Sequence, residues 1–152
     1  MSASINPVSA VPTIVFEFHV RVYWEDTDAG GIVFYANYLR FMERARTEWL
    51  RTLGYGQETT RQSGGGMFVV SETQVRYVRP AKLDDWLTVT VAVVEAGKAS
   101  MVFDQQVLRG DEVLTEGRIR IGWVQPGPEG FRPGRIPADM LAALTQGMAG
   151  RH

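Results

Sequence analysis

The sequence predicts an α+β fold in which a five-stranded antiparallel sheet wraps around one long central helix. Three observations predict it. Apolar residues recur at spacings of three and four between Tyr38 and Leu53, the mark of a single helix with a broad buried stripe. One alternating run precedes that helix, and four runs rich in β-branched and aromatic residues follow it, at about 68 to 79, 86 to 95, 99 to 108 and 112 to 124. The links between these last runs are short, so neighbouring strands pair antiparallel, and a helix this apolar on one side needs a sheet to cover it.

In chain order, residues 1 to 13 are rich in Ser, Pro and Ala without periodicity and read as a flexible N-terminal tail. Residues 14 to 148 read as one domain, and 149 to 152 as a C-terminal tail. From Phe16 to Tyr23, Phe16, Phe18, Val20 and Val22 share one face and Glu17, His19, Arg21 and Tyr23 the other, a half-buried strand on which His19 reads as solvated or salt-bridged. Asn37 can act as an N-cap. The stripe at 38, 41, 42, 45, 49, 50 and 53 then runs to Gly54, which stops the helix. Arg40, Glu43, Arg44, Arg46, Glu48 and Arg51 fall on the opposite face, where they read as solvated ion pairs.

Residues 55 to 66 end in Gly64-Gly65-Gly66. They form a flexible connection and not a phosphate loop, because Met67-Phe68 stand where such a loop needs Lys and Ser or Thr. Arg109-Gly110-Asp111 has the letters of an adhesion motif but sits where a tight hairpin turn is required. Pro126 to Pro137 reads as a Pro/Gly-rich exit, and Ala138 to Met148 as a short helix.

Composition removes several classes of function. The formal net charge of -1 supplies no basic field for nucleic acid or an anionic membrane. With no cysteine, disulfides, thiolate metal sites and a cysteine nucleophile are out of reach, and with only His19 and His152 a metal site of several imidazoles is unavailable. No apolar run approaches a membrane span, and the first 13 residues lack a secretory pattern, so a cytoplasmic protein without metal or cofactor is expected.

The junction between the first strand and the helix, Trp24 to Tyr38, concentrates three carboxylates (Glu25, Asp26, Asp28) and two glycines (Gly30, Gly31). Three readings compete for it. Asp26-x-Asp28-x-Gly30-Gly31 starts like a calcium loop, but the fifth position is glycine, the twelfth is Asn37 and a strand precedes it. An ordinary turn would use the same residue types. Against that reading, the large residues Ile32-Val33-Phe34-Tyr35 follow directly and are expected to be buried against something. The third reading is a catalytic carboxylate beside a helix start, whose free N–H groups can hold the oxyanion of an attacked carbonyl. An aspartate carboxylate, ionised at neutral pH, can attack the carbonyl or activate water. A thioester suits this equipment because its thiolate leaves readily, and the chain has no Gly-x-Ser-x-Gly elbow. Asp28 is the chosen residue, with Glu25 and Asp26 shaping or solvating the turn, and Gly30 and Gly31 letting backbone approach a carbonyl.

The run Val22-Tyr23-Trp24-Glu25-Asp26-Thr27-Asp28-Ala29-Gly30-Gly31-Ile32-Val33-Phe34-Tyr35-Ala36-Asn37-Tyr38, followed by Glu43-Arg44-Ala45-Arg46-Thr47, closely resembles the 4-hydroxybenzoyl-CoA thioesterase-like family of hot-dog proteins. Within that family it is most similar to the short acyl-CoA thioesterases associated with the bacterial Tol-Pal envelope system. Tyr77-Val78-Arg79-Pro80-Ala81-Lys82-Leu83-Asp84-Asp85 fits a second landmark, and the resemblance spans about residues 16 to 125.

The resemblance implies a hot-dog sheet around the helix, paired into a homodimer or homotetramer with active sites at the dimer interface. It places Asp28 on the catalytic aspartate and Tyr35 where a backbone N–H polarises the thioester carbonyl. It puts Lys98, with Ser100 nearby, in a region that meets the nucleotide part of coenzyme A. Many Tol-Pal-associated relatives carry His at the position of Tyr35 and Tyr at that of Trp24, both in supporting roles, whereas Tyr35 matches the hydroxybenzoyl-CoA branch. The implied activity is hydrolysis of a short-chain or aromatic acyl-CoA, with Asp28 as nucleophile or general base. An acyl-carrier-protein thioester and a non-catalytic acyl-binding or envelope scaffold are the alternatives.

Overall fold

The long helix, α1 (Asn37–Thr52), buries Tyr38, Phe41, Met42, Ala45 and Trp49, the stripe that its spacing predicts. Its end is set by Gly54 at φ +93°, which donates to Arg51 O at 3.0 Å while Tyr55 N–H reaches Leu50 O at 2.9 Å. These are the two closing bonds of a Schellman motif, which need a residue that tolerates positive φ. The start differs from expectation. Asn37 is the first helical residue and not the N-cap, and its side-chain amide donates back to Asp26 O at 2.9 Å, tying the helix to the preceding loop. The computed structural model of the chain describes residues 12–56 and 64–149. Most of the expected tail at 1 to 13, most of the connection at 55 to 66 and the last three residues lie outside the described residues.

Five strands, β1 (Ile14–Arg21), β2 (Met67–Tyr77), β3 (Trp86–Ala96), β4 (Ser100–Arg109) and β5 (Glu112–Gly127), pair antiparallel in the order β1-β3-β4-β5-β2. The helix lies across β1, β3 and β4. Its stripe meets Leu87, Val89 and Val91 of β3, Met101, Phe103 and Val107 of β4, and Ile119, Ile121 and Trp123 of β5 in one core. Burying each large apolar side chain there contributes about 1.5–3 kcal/mol before conformational entropy is charged against it.

The stretch from Pro126 to Pro137 is more ordered than a simple exit. Gly130–Pro133 forms a sixth strand, β6, paired with Val124 to Gly127 of β5, so the sheet has six strands and not five. A proline-bearing strand is tolerated at such an edge, where its missing N–H leaves no ladder bond unmade. The expected terminal helix is divided into α2 (Ala138–Leu144) and α3 (Gln146–Ala149). At the break Thr145 Oγ1 donates back to Leu141 O at 2.9 Å, the kind of local side-chain bond that competes with a continuous helix. Among the described residues, no helix is long and apolar enough to cross a membrane.

Two features of the charge pattern matter later. On β1, Glu17, His19 and Arg21 are exposed as the alternation predicts, with His19 stacked on Trp86. On α1, Arg46 departs from the solvated face assigned to it. It is buried, and its Nη1 donates to Gln105 Oε1 at 2.8 Å. Gln105 Nε2 in turn donates to Met42 O at 3.1 Å and Thr90 O at 3.2 Å. Burial pulls the Arg46 guanidinium down to about 10, with the field of Glu43 acting the other way.

Candidate functional site

Val22, the residue after β1, is buried in the core, and the chain then turns through a short 3-10 segment, Trp24–Asp26. Asp26 organises this turn: its Oδ2 accepts the Tyr23 N–H at 2.8 Å. The chain then doubles back as a small hairpin. Thr27 bridges Val33, Asp28 N–H donates to Ile32 O at 2.9 Å, and Phe34 N–H donates to Asp26 O at 3.0 Å. Gly31 makes the tip possible with φ +81°, a conformation that an L side chain would strain.

Asp28 sits at this tip with its side chain fixed on one side only. Oδ1 accepts the Gly30 N–H at 2.8 Å, while Oδ2 has no hydrogen-bond partner among the described residues. The returning strand of the hairpin runs into α1, and at that joint the N–H groups of Tyr35 and Ala36 have no partner among the described residues. Two rungs, on the order of 7 Å along the hairpin, separate Asp28 from Phe34, the residue before those free amides. A carboxylate oxygen and a pair of unpartnered donors therefore stand at the two ends of one short hairpin.

The loop 78–85 braces this surface from below. Val33 N–H donates to Ala81 O at 2.9 Å, Leu83 N–H to Gly31 O at 3.3 Å, and Tyr38 Oη accepts the buried Ala81 N–H at 3.0 Å. Arg109 holds the loop from the β4–β5 turn, with Nη1 at 2.7 Å from Asp85 Oδ2 and Nη2 at 2.9 Å from Glu112 Oε1. Burial alone would push the Asp85 carboxyl up, but the Lys82 amide and the Arg109 guanidinium outweigh it and hold it below the usual carboxylate range. The Arg-Gly-Asp turn is thus occupied with internal ion pairing.

Of the residues singled out in the sequence, Trp24, Asp28, Gly30, Gly31 and Tyr35 gather here. Trp24 is 78% and Tyr35 63% exposed, so neither ring packs into this chain's core. Within Ile32-Val33-Phe34-Tyr35 only Val33 is buried, contrary to the burial expected of the whole run. Lys98 and Ser100 lie elsewhere. Lys98 is exposed in the β3–β4 turn and Ser100 opens β4, so the length of β3, about 33 Å, separates them from the Asp28 end within one chain.

Sequence reasoning missed Tyr77, whose hydroxyl donates to Tyr35 O at 3.1 Å and whose ring stands edge-on to that of Tyr35. It also missed Tyr38 as the support of Ala81. Tyr77 opens the second landmark, and Tyr38 closes the first, which was the available signal.

Among the described residues, no cluster of three His, Cys, Asp or Glu side chains is placed to hold a metal ion. A cleft of about 600 Å³ on the outer face of the sheet is remote from Asp28, and the charges lining it pair with each other, Arg118 Nε lying 2.7 Å from Asp104 Oδ1.

The model of the thioesterase superfamily matches residues 30–116. The acyl-CoA thioesterase YbgC of Haemophilus influenzae is 42% identical over 129 residues, covering 85% of this chain and 93% of that protein. Among solved structures, the probable thioesterase from Bartonella henselae superposes with a TM-score of 0.74 at 32% identity, covering 80% of this chain and 98% of that one. The 4-hydroxybenzoyl-CoA thioesterase from Pseudomonas sp. strain CBS-3, at 22% identity, shares the hot-dog fold with a TM-score of 0.73, over 84% of this chain and 96% of that one.

Proposed function

The chain belongs to the thioesterase superfamily and is a thioester hydrolase; from that premise we propose that it cleaves acyl-CoA thioesters through Asp28. The observation that carries this reading is the half-satisfied carboxylate: Gly30 orients Oδ1 and leaves Oδ2 open, a short hairpin away from unspent amides at the start of α1. The thioester carbonyl oxygen rests on the Tyr35 and Ala36 N–H groups, which strengthen their hold as negative charge develops. Oδ2 either attacks the carbonyl carbon, giving a mixed anhydride that water then opens, or takes a proton from the attacking water. In both routes the coenzyme A thiolate leaves and the acid is released. The exposed Trp24 and Tyr35 rings flank the entrance.

A second copy completes the site. Among the described residues β2 has no neighbour on its outer side, and Val70 on it is 52% exposed. Such edges invite pairing with an identical strand. If two β2 strands pair antiparallel about a two-fold axis, the Tyr77 end of one chain meets the Met67 end of the other. The Lys98–Ser100 end of the second copy then lies beside Asp28 of the first, where Lys98 meets the phosphates of coenzyme A. Thiol release from a panel of acyl-CoA esters, compared between wild type and Asp28→Asn, tests the chemistry. The expected result is a loss of turnover of at least about a hundredfold, and equal rates would remove Asp28 from the mechanism.

A further inference from the structure

Among the described residues, Arg46 is the only charged residue that is buried. It is 8% exposed, it donates to Gln105 Oε1, and it forms no ion pair among the described residues. The carboxylate whose field it feels is Glu43, one helical turn back, which is itself exposed. A cation this deep, with one hydrogen bond and no ion pair among the described residues, is costly, and that cost calls for an explanation.

Arg46 does not stand in solid core alone. It is among the residues lining a cleft of about 360 Å³ between α1 and β2, whose walls include Leu39, Leu50, Phe68, Phe103 and Ile121, with the exposed Arg40 and Glu43 also on it. Gln105 bonds both Arg46 Nη1 and Met42 O, so the guanidinium sits near the level of Met42. Met42 is five residues from the first residue of α1, about 8 Å along the helix axis. The free Tyr35 and Ala36 amides stand at that helix start. An acyl group whose carbonyl oxygen rests on those amides and whose chain enters the cleft meets the guanidinium after a short chain. The walls suit methylene groups, and the cleft offers a cation with no carboxylate paired to it among the described residues.

We propose that the α1–β2 cleft is the acyl subsite and that Arg46 receives a carboxylate at the far end of the acyl group, so that the substrates are coenzyme A thioesters of short dicarboxylic acids. This rests on the thioesterase reading above. The guanidinium presents two donors in one plane to the carboxylate, in the geometry that suits Arg better than Lys. The same arrangement disfavours long unsubstituted chains, which would press methylene groups on a desolvated cation.

The test compares kcat/KM for adipyl-CoA and hexanoyl-CoA, esters of equal chain length that differ in the terminal carboxylate. Wild type is expected to favour adipyl-CoA. Arg46→Met is expected to lower the adipyl-CoA value by about 10- to 100-fold, the range of a charged hydrogen bond, while the hexanoyl-CoA value, relieved of a methyl group against a desolvated cation, does not fall. Arg46→Lys, which keeps the charge, should retain part of the preference and serves if the methionine variant does not fold. A wild type that hydrolyses hexanoyl-CoA at least as well as adipyl-CoA overturns the inference while leaving the thioesterase reading intact. So does an Arg46→Met variant that slows both esters equally, or one that only weakens self-association, which would assign the cleft to the second copy. If neither ester is hydrolysed, the wider acyl-CoA panel tests the thioesterase reading separately, and calorimetric binding of the two esters to wild type and Arg46→Met decides the subsite by the same criterion.

Discussion

Tyr38→Phe removes one oxygen atom and asks how the Asp28 turn is supported. That oxygen accepts the N–H of Ala81, a residue with no exposed surface, at 3.0 Å, and the ring keeps its contacts with Phe41 and Tyr77 in the variant. The loss therefore isolates one buried N–H left without a partner, a cost of about 1–3 kcal/mol. For a chain of this length, about 2 kcal/mol lowers Tm by roughly 4–8 °C. The pH dependence gives a second reading. Burial raises the Tyr38 phenol above its ordinary value, so its contribution is fully present below the unfolded pKa of about 10 and is lost as pH rises through the folded value. The variant should lack that part of the alkaline slope. Urea denaturation followed by circular dichroism, at neutral and alkaline pH, measures both effects. The support would be refuted by an unfolding free energy within about 0.5 kcal/mol of wild type at an unchanged urea slope. Because Ala81 O in turn holds the Val33 N–H at 2.9 Å, kcat should fall along with stability.

Two further outcomes follow from the same geometry. Arg109→Met removes the ion pairs with Asp85 and Glu112, which are partly exposed, and should cost about 1 kcal/mol at neutral pH. The depressed Asp85 carboxyl contributes stability above its unfolded pKa of about 3.9 that is lost as pH falls through the folded value. Acid unfolding of the variant, followed by fluorescence, should then begin at higher pH than in wild type. Val70→Lys places a charge on the exposed β2 edge and should shift sedimentation towards a single chain and lower hydrolysis with it; an unchanged dimer would take β2 out of the interface.

The helix and the sheet were legible because both are periodic. The Tyr38 to Leu53 stripe and the alternation from Phe16 to Tyr23 each repeat often enough to specify a face. The tip at Asp28 was legible for a different reason, since carboxylates and adjacent glycines crowd a joint between two such elements. What failed was information carried by single residues or by distant partners. Arg46 carries a charge, and charge alone placed it in solvent, yet it stands on the i, i+4 row of Tyr38 and Met42, and that row was the better signal. Asn37 had the right chemistry for a cap, but it is the first helical residue, with Ala36 at the cap position, and its side-chain N–H donates to the Asp26 carbonyl. β6 was hidden by prolines and glycines that usually mark loops, because an edge strand tolerates them. The support of Ala81 by Tyr38 joins segments whose proximity no local pattern encodes.

The hairpin that carries Asp28 is held by Gly31 and Val33 against Leu83 and Ala81, and Val22 at its root is held against Asp85. Those partners are about fifty to sixty residues away along the chain, so their closure entropy must be met before the contacts form. During renaturation the helix can wind and the consecutive β3–β4–β5 hairpins can associate while this turn is still without shape. Recovery of hydrolysis should accordingly lag behind recovery of helical and sheet signal. Activity and secondary structure are thus expected to return at different rates, with the docking of residues 80–85 beneath Asp28 completing the site.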